Sequence, residues 1–230
     1  MDHEILLDRL FGINSWLNHR NYQLNDQIIM NIPFQQTPNY TPGNTKKIAV
    51  VLHFTLGAYN GAVSWLSNAN RPSRSSANYV IGRNQGEIIQ LVKITDIAWH
   101  AGNVSNPNDR AKKIMLKNHD GSYVNPNQYT IGIELAAGYD VDQDGVVEPN
   151  ENDITEWQYE QLTELVKSFA NNPDTAFVLD PKNIIIHGDI SDYKEKPEIV
   201  RTELLKRLFS ATTPNKDAIK SQIISLLNQL

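Results

Sequence analysis

The sequence predicts an α/β fold in which a central, mostly mixed β-sheet is flanked by helices. Short apolar runs with the length of buried strands occur at about residues 47–54, 129–135 and 184–187. Apolar residues at helical spacing follow Thr155 and recur near the C-terminus. Because strands and helices are interspersed along the chain, we expect one sheet covered by helices.

The N-terminal half begins with a predicted amphipathic helix at residues 3–18. An extended segment with three prolines follows at residues 22–44, and we expect it to wrap the domain. The next elements are bounded by turn residues and comprise strands at about 47–54, 78–83, 86–92 and 129–135 and a helix near 58–68. Residues 103–128 form a long polar loop, which we interpret as one wall of a groove because such long loops are often functional.

The C-terminal half begins with Thr155-Glu-Trp-Gln158, a capping-box pattern that opens a helix. Its apolar positions share one face: Leu162, Leu165, Val166 and Phe169. Two more helices are predicted at 198–209 and 215–229. We predict one main domain over residues 1–210 and an amphipathic helix within 211–230 that docks on it; a dimerisation or partner helix is the alternative.

The composition limits the classes of partner. The 230 residues carry a formal net charge of −5, which argues against nonspecific nucleic-acid binding. The chain has no cysteine, so disulfides and thiol catalysis are excluded. No apolar run is long enough to span a membrane. The N-terminus alternates charged and apolar residues, unlike a signal peptide, which predicts synthesis in the cytoplasm.

Potentially catalytic side chains follow three predicted strands. His53 ends the first, Glu134 ends the second and His187 ends the third, with Lys194 shortly after. Neutral imidazole is a preferred zinc ligand, and zinc lowers the pKa of bound water to about 7. A carboxylate can transfer the water's proton, and a lysine can stabilise the oxyanion formed from an amide. A lone histidine after a strand is more often structural, but the combination predicts a metal-dependent amide hydrolase.

Several ordered motifs resemble those of one family. They are Val-Leu-His53-Phe-Thr, Ser76-Ala-Asn-Tyr-Val-Ile-Gly-Arg, Gly86-Glu-Ile-Ile-Gln, Ala98-Trp-His-Ala-Gly102, Thr130-Ile-Gly-Ile-Glu-Leu and His187-Gly-Asp-Ile-Ser-Asp-Tyr-Lys194. Together they span roughly residues 45–200. The chain resembles the zinc-dependent N-acetylmuramoyl-L-alanine amidases of type 2, which include phage endolysins and share a fold with the peptidoglycan recognition proteins.

This resemblance implies cleavage of the amide bond between N-acetylmuramic acid and L-alanine in peptidoglycan. His53 and His187 would bind zinc, Glu134 would act as general base and acid, and Lys194 would polarise the carbonyl. The substrate-binding residues implied in the groove are His100, Asn78 and Trp99. For His100 a structural hydrogen bond is the equal alternative. As an endolysin, the protein would reach the cell wall after lysis or release.

The third zinc ligand departs from the family pattern. An aspartate or cysteine is expected two residues after the catalytic lysine, where this chain has Lys196. An ammonium has no lone pair for a metal. A neighbouring carboxylate, Glu195 or Asp192 or else Glu198, could replace it, or two histidines and solvent could suffice. The remaining alternative is a non-catalytic peptidoglycan-binding or muropeptide-binding protein with a degenerate zinc site.

A second metal site is predicted at residues 140–151, which match the twelve-residue calcium loop of an EF-hand. The ligand positions of that loop are filled by Asp140, Asp142, Asp144, Val146 and Glu151. A strand enters the loop and a helix leaves it, so we expect a lone structural Ca²⁺ site at the rim of the groove. A solvated acidic loop is the alternative.

Overall fold

The computed structural model describes residues 31–141, 147–150 and 153–210. Within these ranges, the residues from Ile32 onward belong to one compact unit. The helices predicted at 3–18 and 215–229 lie outside the described residues, as does the first part of the predicted wrapping segment, residues 22–30. Among the described helices, none has the length and apolar character needed to cross a membrane.

A central sheet of five strands carries the fold. The strands in the described residues are β1 (Tyr40–Thr41), β2 (Ala49–Leu56), β3 (Tyr79–Ile81), β4 (Ile88–Gln90), β5 (Ile97–Ala98), β6 (Thr130–Ala137), β7 (Tyr139–Val141), β8 (Val147–Pro149) and β9 (Ile184–Ile186). The central sheet has the order β4-β3-β6-β2-β9. Only the β3–β4 pair within it is antiparallel. The predicted mixed sheet is therefore confirmed.

Five helices accompany these strands in the described part of the chain. They are α1 (Tyr59–Leu66), α2 (Asp109–Lys112), α3 (Glu156–Ala170), α4 (His187–Ile190) and α5 (Glu198–Phe209). Residues of α1 pack against β3 and β4 in one apolar cluster, and residues of α2 pack against β2 and β9 in another. By strand alternation both clusters lie on the sheet face to which His53 points. Phe169 of α3 packs against Tyr79 on the opposite face.

The predicted start of α3 is confirmed. Thr155 Oγ1 accepts a hydrogen bond from the Gln158 backbone, and the Gln158 side chain accepts one from the Thr155 backbone, which forms the capping box. The Gln158 amide also donates to the Ala136 carbonyl at 2.8 Å. This contact ties the N-terminus of α3 to the end of β6. The bounds of α5 also agree with the prediction.

The segment at residues 103–128 is more ordered than the polar loop predicted there. It contains α2 and a 3-10 turn at Pro126–Gln128. Asn108 caps α2 by accepting hydrogen bonds from Arg110 N and Ala111 N. These polar residues had indicated a loop because their capping function is not distinguishable from a turn in the sequence alone.

The described part of the predicted calcium loop overlaps the β7–β8 hairpin, in which Val141 pairs with Val147. Both strands of the hairpin overlap the predicted loop, and the calcium site stays a prediction. The predicted calcium ligands Asp142, Asp144, Val146 and Glu151 lie outside the described residues, and the side chain of Asp140 is likewise not described.

Candidate metal centre

The strand register brings the predicted catalytic residues together. His53 of β2 lies beside Glu134 of β6, and Leu52 lies beside Ile186, which directly precedes His187. These strands are parallel, so their carboxyl ends meet at the same edge of the sheet. The runs of small and aliphatic residues in β2 and β9 are fully buried, as expected for central parallel strands.

Two histidines and one carboxylate converge at this edge. Glu195 Oε1 lies 3.1 Å from His53 Nδ1 and 2.9 Å from His187 Nδ1. One donor atom from each residue falls within 4.8 Å of the others. The exposed fractions of His53 and His187 are 2% and 5%. Two imidazole nitrogens and a carboxylate oxygen form a donor set that suits a catalytic zinc ion, so the residues present fit this metal.

Glu195 reaches the histidines because the chain turns back sharply after α4. Gly188 N donates to Glu195 O at 2.9 Å. A Cβ atom on Gly188 would lie only 2.9 Å from Glu195 O and 3.0 Å from Lys194 O. Glycine is therefore required for this close return of the backbone. The next residue, Lys196, has an exposed side chain.

The other carboxylates considered as third ligand make different contacts. Asp192 is exposed, and its Oδ2 accepts a hydrogen bond of 3.0 Å from Asn106. Glu198 accepts two hydrogen bonds from the guanidinium of Arg110. Of the three carboxylates, Glu195 is the one that contacts both histidines. The prediction left Glu195 and Asp192 open, and the geometry favours Glu195.

Asp189 stabilises the turn that contains His187. This buried carboxylate accepts hydrogen bonds from Ile186 N at 3.1 Å and from the Asn108 side chain at 2.6 Å. Arg110 forms an ion pair with it at 3.1 Å. Asp189 therefore fixes the start of α4, and with it the backbone of His187.

The ionisable groups of the site have pKa values that are shifted in different directions. Burial, with a smaller contribution from the Glu195 charge, raises the pKa of Glu134 to about 8, although Lys194 opposes the shift. Burial would also raise the pKa of Glu195, but hydrogen bonds from His187 and His53 outweigh it and hold that pKa well below its ordinary value. Burial, assisted by His187, lowers the pKa of His53 to about 4. Glu195 is thus an anion, whereas Glu134 can gain and lose a proton near neutral pH.

Glu134 is half-buried, and its Oε2 atom is buried with no hydrogen-bond partner in the described part of the chain. A buried carboxylate oxygen without a partner is unfavourable unless it serves a ligand or carries a proton. This arrangement suits a group that exchanges protons with a bound substrate or water.

His100 is buried beside the two histidines. Its Nδ1 lies 3.1 Å from His53 Nε2, and its Nε2 lies 3.2 Å from Thr130 Oγ1. Burial lowers the pKa of His100 well below its ordinary value, with further contributions from His53 and His187. Both ring nitrogens have protein partners, so the geometry favours the hydrogen-bonding alternative over the predicted substrate contact.

The two other predicted substrate-binding residues have different surroundings. Asn78 is fully buried; its oxygen accepts from Gly132 N at 3.0 Å and its amide faces the carbonyl of Val92. The prediction that Asn78 contacts substrate is therefore not supported by its position. Trp99 is half-buried, and its indole N–H donates to Thr41 Oγ1 at 3.0 Å. Substrate contact by Trp99 stays a prediction.

Sequence reasoning missed the residues that hold this corner together. Asn127 Oδ1 accepts from His100 N at 3.1 Å and from Ala101 N at 2.7 Å. Lys47 is fully buried and donates to the carbonyls of Asn127 and Gln128. Burial lowers the pKa of Lys47 to about 8, although Asp96 opposes the shift. A charged residue at the start of an apolar run was the available signal for Lys47; Asn127 had none within its polar segment.

Fold and site together define a class: a zinc-type donor set beside a mixed sheet, with His53 in β2 and His187 directly after β9, is the arrangement of a metal-dependent hydrolase. The family model for N-acetylmuramoyl-L-alanine amidases matches residues 44–199. The chain belongs to this family.

One curated relative supports the family assignment. N-acetylmuramoyl-L-alanine amidase A of Achromobacter lyticus is 34% identical over 96 residues, which are 42% of this chain and 41% of that protein. The chain thus matches less than half the length of this curated relative.

Two solved structures share the fold. The N-acetylmuramyl-L-alanine amidase AmiD from E. coli has a TM-score of 0.51 at 23% identity, with 77% of this chain and 62% of AmiD covered. AmpDH3 from Pseudomonas aeruginosa has a TM-score of 0.51 at 24% identity, with 77% of this chain and 64% of that chain covered.

Proposed function

We propose that this protein hydrolyses the amide bond between N-acetylmuramic acid and L-alanine in peptidoglycan, using a zinc ion held by His53, His187 and Glu195. The observation that carries the proposal is the convergence of these three donors beside Glu134, in a chain of the amidase family. The substrate class is supported by AmiD from E. coli, whose structure contains anhydro-N-acetylmuramic acid-L-Ala-D-γ-Glu-L-Lys as substrate.

The remaining side chains fit distinct steps of amide hydrolysis. When bound, zinc would activate water near neutral pH and polarise the substrate carbonyl. Glu134 would accept the proton of the attacking water and deliver it to the leaving amine, which suits a carboxyl group whose pKa lies near 8. Lys194 would supply positive charge for the oxyanion that develops on the carbonyl.

A non-catalytic peptidoglycan-binding protein is not favoured. That alternative depended on Lys196, which cannot ligate a metal while protonated. Glu195 contacts both histidines one residue earlier, so the donor set does not require Lys196. A buried carboxyl with an unpaired oxygen, as in Glu134, also has no evident purpose in a protein that only binds.

Metal content and turnover test this function together. Elemental analysis should find about one zinc per chain, and muropeptide cleavage should release the free stem peptide. Glu134→Gln removes the proton-transferring group but keeps its size and its neutral form. This variant should retain zinc and lose at least roughly 100-fold in turnover, since general acid–base groups contribute on that order. Wild-type turnover by a clean Glu134→Gln preparation would contradict the mechanism.

The calcium site at residues 140–151 also belongs to this proposal. Its support is the spacing of Asp140, Asp142, Asp144 and Glu151, together with the β7–β8 hairpin, which pairs Asp140 with Glu148. The same elemental analysis reports calcium, and its absence after dialysis against calcium would contradict this site.

A lytic role on the bacterial wall, as in phage endolysins, is testable by clearing of a cell-wall suspension.

A further inference from the structure

The dipeptide His100-Ala101 contacts both candidate zinc-binding histidines from the side away from Glu195. His100 Nδ1 lies 3.1 Å from His53 Nε2, and Ala101 O lies 3.1 Å from His187 Nε2. Asn127 holds the dipeptide by accepting hydrogen bonds from both of its backbone N–H groups. One short segment therefore contacts the outer nitrogen of each histidine.

Thr130 fixes the direction of the hydrogen bonds on the His53 side. Its hydroxyl donates to the Pro126 carbonyl at 2.7 Å. A hydroxyl group has one proton. At its 3.2 Å contact with His100 Nε2, Thr130 Oγ1 can therefore only accept, so the proton of this contact is on His100 Nε2.

The position of the proton on His100 determines the direction of its hydrogen bond with His53. The His100 side chain is buried, and among the described residues its ring nitrogens contact His53 and Thr130 but no carboxylate. A buried cation without a partner is costly, so the neutral ring is favoured. Neutral imidazole has a single N–H, so His100 Nδ1 accepts and His53 Nε2 donates.

For His187, a single contact determines which ring nitrogen carries the proton. The Ala101 carbonyl can only accept a hydrogen bond, so His187 Nε2 carries the proton at this contact. With zinc bound, neutral His53 and His187 would then both have an unprotonated Nδ1, because the metal would replace the protons through which these atoms contact Glu195 Oε1 in the metal-free chain. Metal binding requires this tautomer, because a nitrogen that carries a proton has no lone pair to donate.

We infer that His100 and Thr130 are positioning residues, which set the tautomer of His53 for the metal through the chain Pro126 O, Thr130 Oγ1, His100 and His53 Nε2. The inference rests on the proposed zinc site. Gly132 leaves room for the His100 ring in this position, because a Cβ atom at this position of β6 would overlap the ring. The strand thus has a glycine where the imidazole lies directly against it.

Thr130→Val tests the chain with little change in shape, because it replaces the hydroxyl by a methyl group. Thr130→Ser keeps the hydroxyl and serves as the conservative rescue. Thr163→Val is the matched control: Thr163 is also buried and donates to a backbone carbonyl, that of Tyr159, but it lies in α3. Zinc affinity is measured for each protein by competition with a chromophoric chelator.

The position of each imidazole proton is read separately by long-range ¹H–¹⁵N NMR of histidine-labelled wild-type protein, with and without zinc. We expect the proton on His100 Nε2 in both states, and on Nε2 of His53 and His187 in the zinc-bound state. We expect Thr130→Val to bind zinc at least about 10-fold more weakly, with Thr130→Ser and Thr163→Val within about twofold of wild type.

A proton on His100 Nδ1, or zinc binding by Thr130→Val as tight as that of Thr163→Val, would overturn the inference. If the wild-type chain binds no zinc, the proposed function fails. The metal-free spectrum then still decides the hydrogen-bond chain, since it keeps the chain if the proton is on His100 Nε2 and overturns it if the proton is on Nδ1.

Discussion

At the level of single residues, Glu134 and Glu195 are two carboxyl groups in one site with opposite protonation. Contacts with His53 and His187 keep Glu195 ionised, whereas Glu134 has a buried oxygen without a partner. The difference arises from the partners, since both groups are shielded from solvent. It assigns metal binding to Glu195 and proton transfer to Glu134.

The pH dependence of stability should report the Glu134 carboxyl. In the metal-free protein its pKa rises from about 4.5 in the unfolded chain to about 8 in the fold. Between these values the folded state keeps a proton that the unfolded state has lost, so this contribution is complete below about pH 4.5 and is lost as the pH rises through about 8. Glu134→Gln lacks this loss and should gain stability relative to wild type, by on the order of a few kcal/mol at the alkaline end.

Urea unfolding of both proteins in the presence of a metal chelator measures this difference at several pH values. A stability difference that stays constant across the window would show that Glu134 does not titrate as described.

Two adjacent residues provide a test of the third ligand. Glu195→Gln removes the anionic donor but keeps the shape, so the protein should lose zinc on dialysis. Lys196→Gln changes the exposed neighbour and should keep zinc at the wild-type level. Metal content and muropeptide cleavage are measured for both variants. Zinc loss in Lys196→Gln with retention in Glu195→Gln would reverse the assignment.

At the level of elements, the turn after β9 determines which side chain reaches the metal. Strand β9 ends at Ile186, α4 begins at His187, and the backbone returns against Gly188. Sequence patterns identify β9 because three isoleucines form a buried run. They do not distinguish Glu195 from Lys196, because the direction of side chains in an irregular turn follows from local backbone contacts and not from a period.

Gly188→Ala should displace this turn. Its Cβ would press on the backbone oxygens of Lys194 and Glu195, which cannot rotate away as a flexible side chain would. We expect weaker zinc binding and a stability loss of roughly 1–3 kcal/mol. Gly61→Ala in α1 is the matched control: a Cβ there meets no atom within 4 Å, and alanine should stabilise the helix by about 0.5–1 kcal/mol. Calorimetry and zinc titration of both variants test this, and equal zinc affinity would contradict it.

At the level of the whole molecule, the candidate metal centre joins β2, α4 and the returning segment. A ligand that binds only the folded state stabilises it by mass action, by about 2.7 kcal/mol at 100 times the dissociation constant. The melting temperature of wild-type protein should therefore rise with free zinc, whereas Glu195→Gln should show little rise. Thermal melts at a series of zinc concentrations measure both, and parallel curves would argue against Glu195 as a ligand.

The sequence was sufficient for the sheet class, the central strands and the helices α1, α3 and α5, because periodicity and caps record which faces are buried. It also located His53, Glu134 and His187, because polar residues in or directly after apolar runs are conspicuous, although His53 and Glu134 lie within β2 and β6 and not at their ends. The contacts of His100 and the burial of Asn78 could not be predicted from the sequence. Both depend on packing between segments that are distant in the chain. Local sequence patterns do not specify which side chains from distant segments come into contact.

The strand order has a consequence for folding kinetics. The neighbours of β2 in the sheet are β6 and β9, which follow it by more than seventy residues and more than one hundred residues along the chain. Such distant parallel pairings close large loops and form slowly. During synthesis the three donors coexist only after Glu195 has been added. Zinc captured by the finished sheet should therefore slow unfolding and leave the refolding rate nearly unchanged.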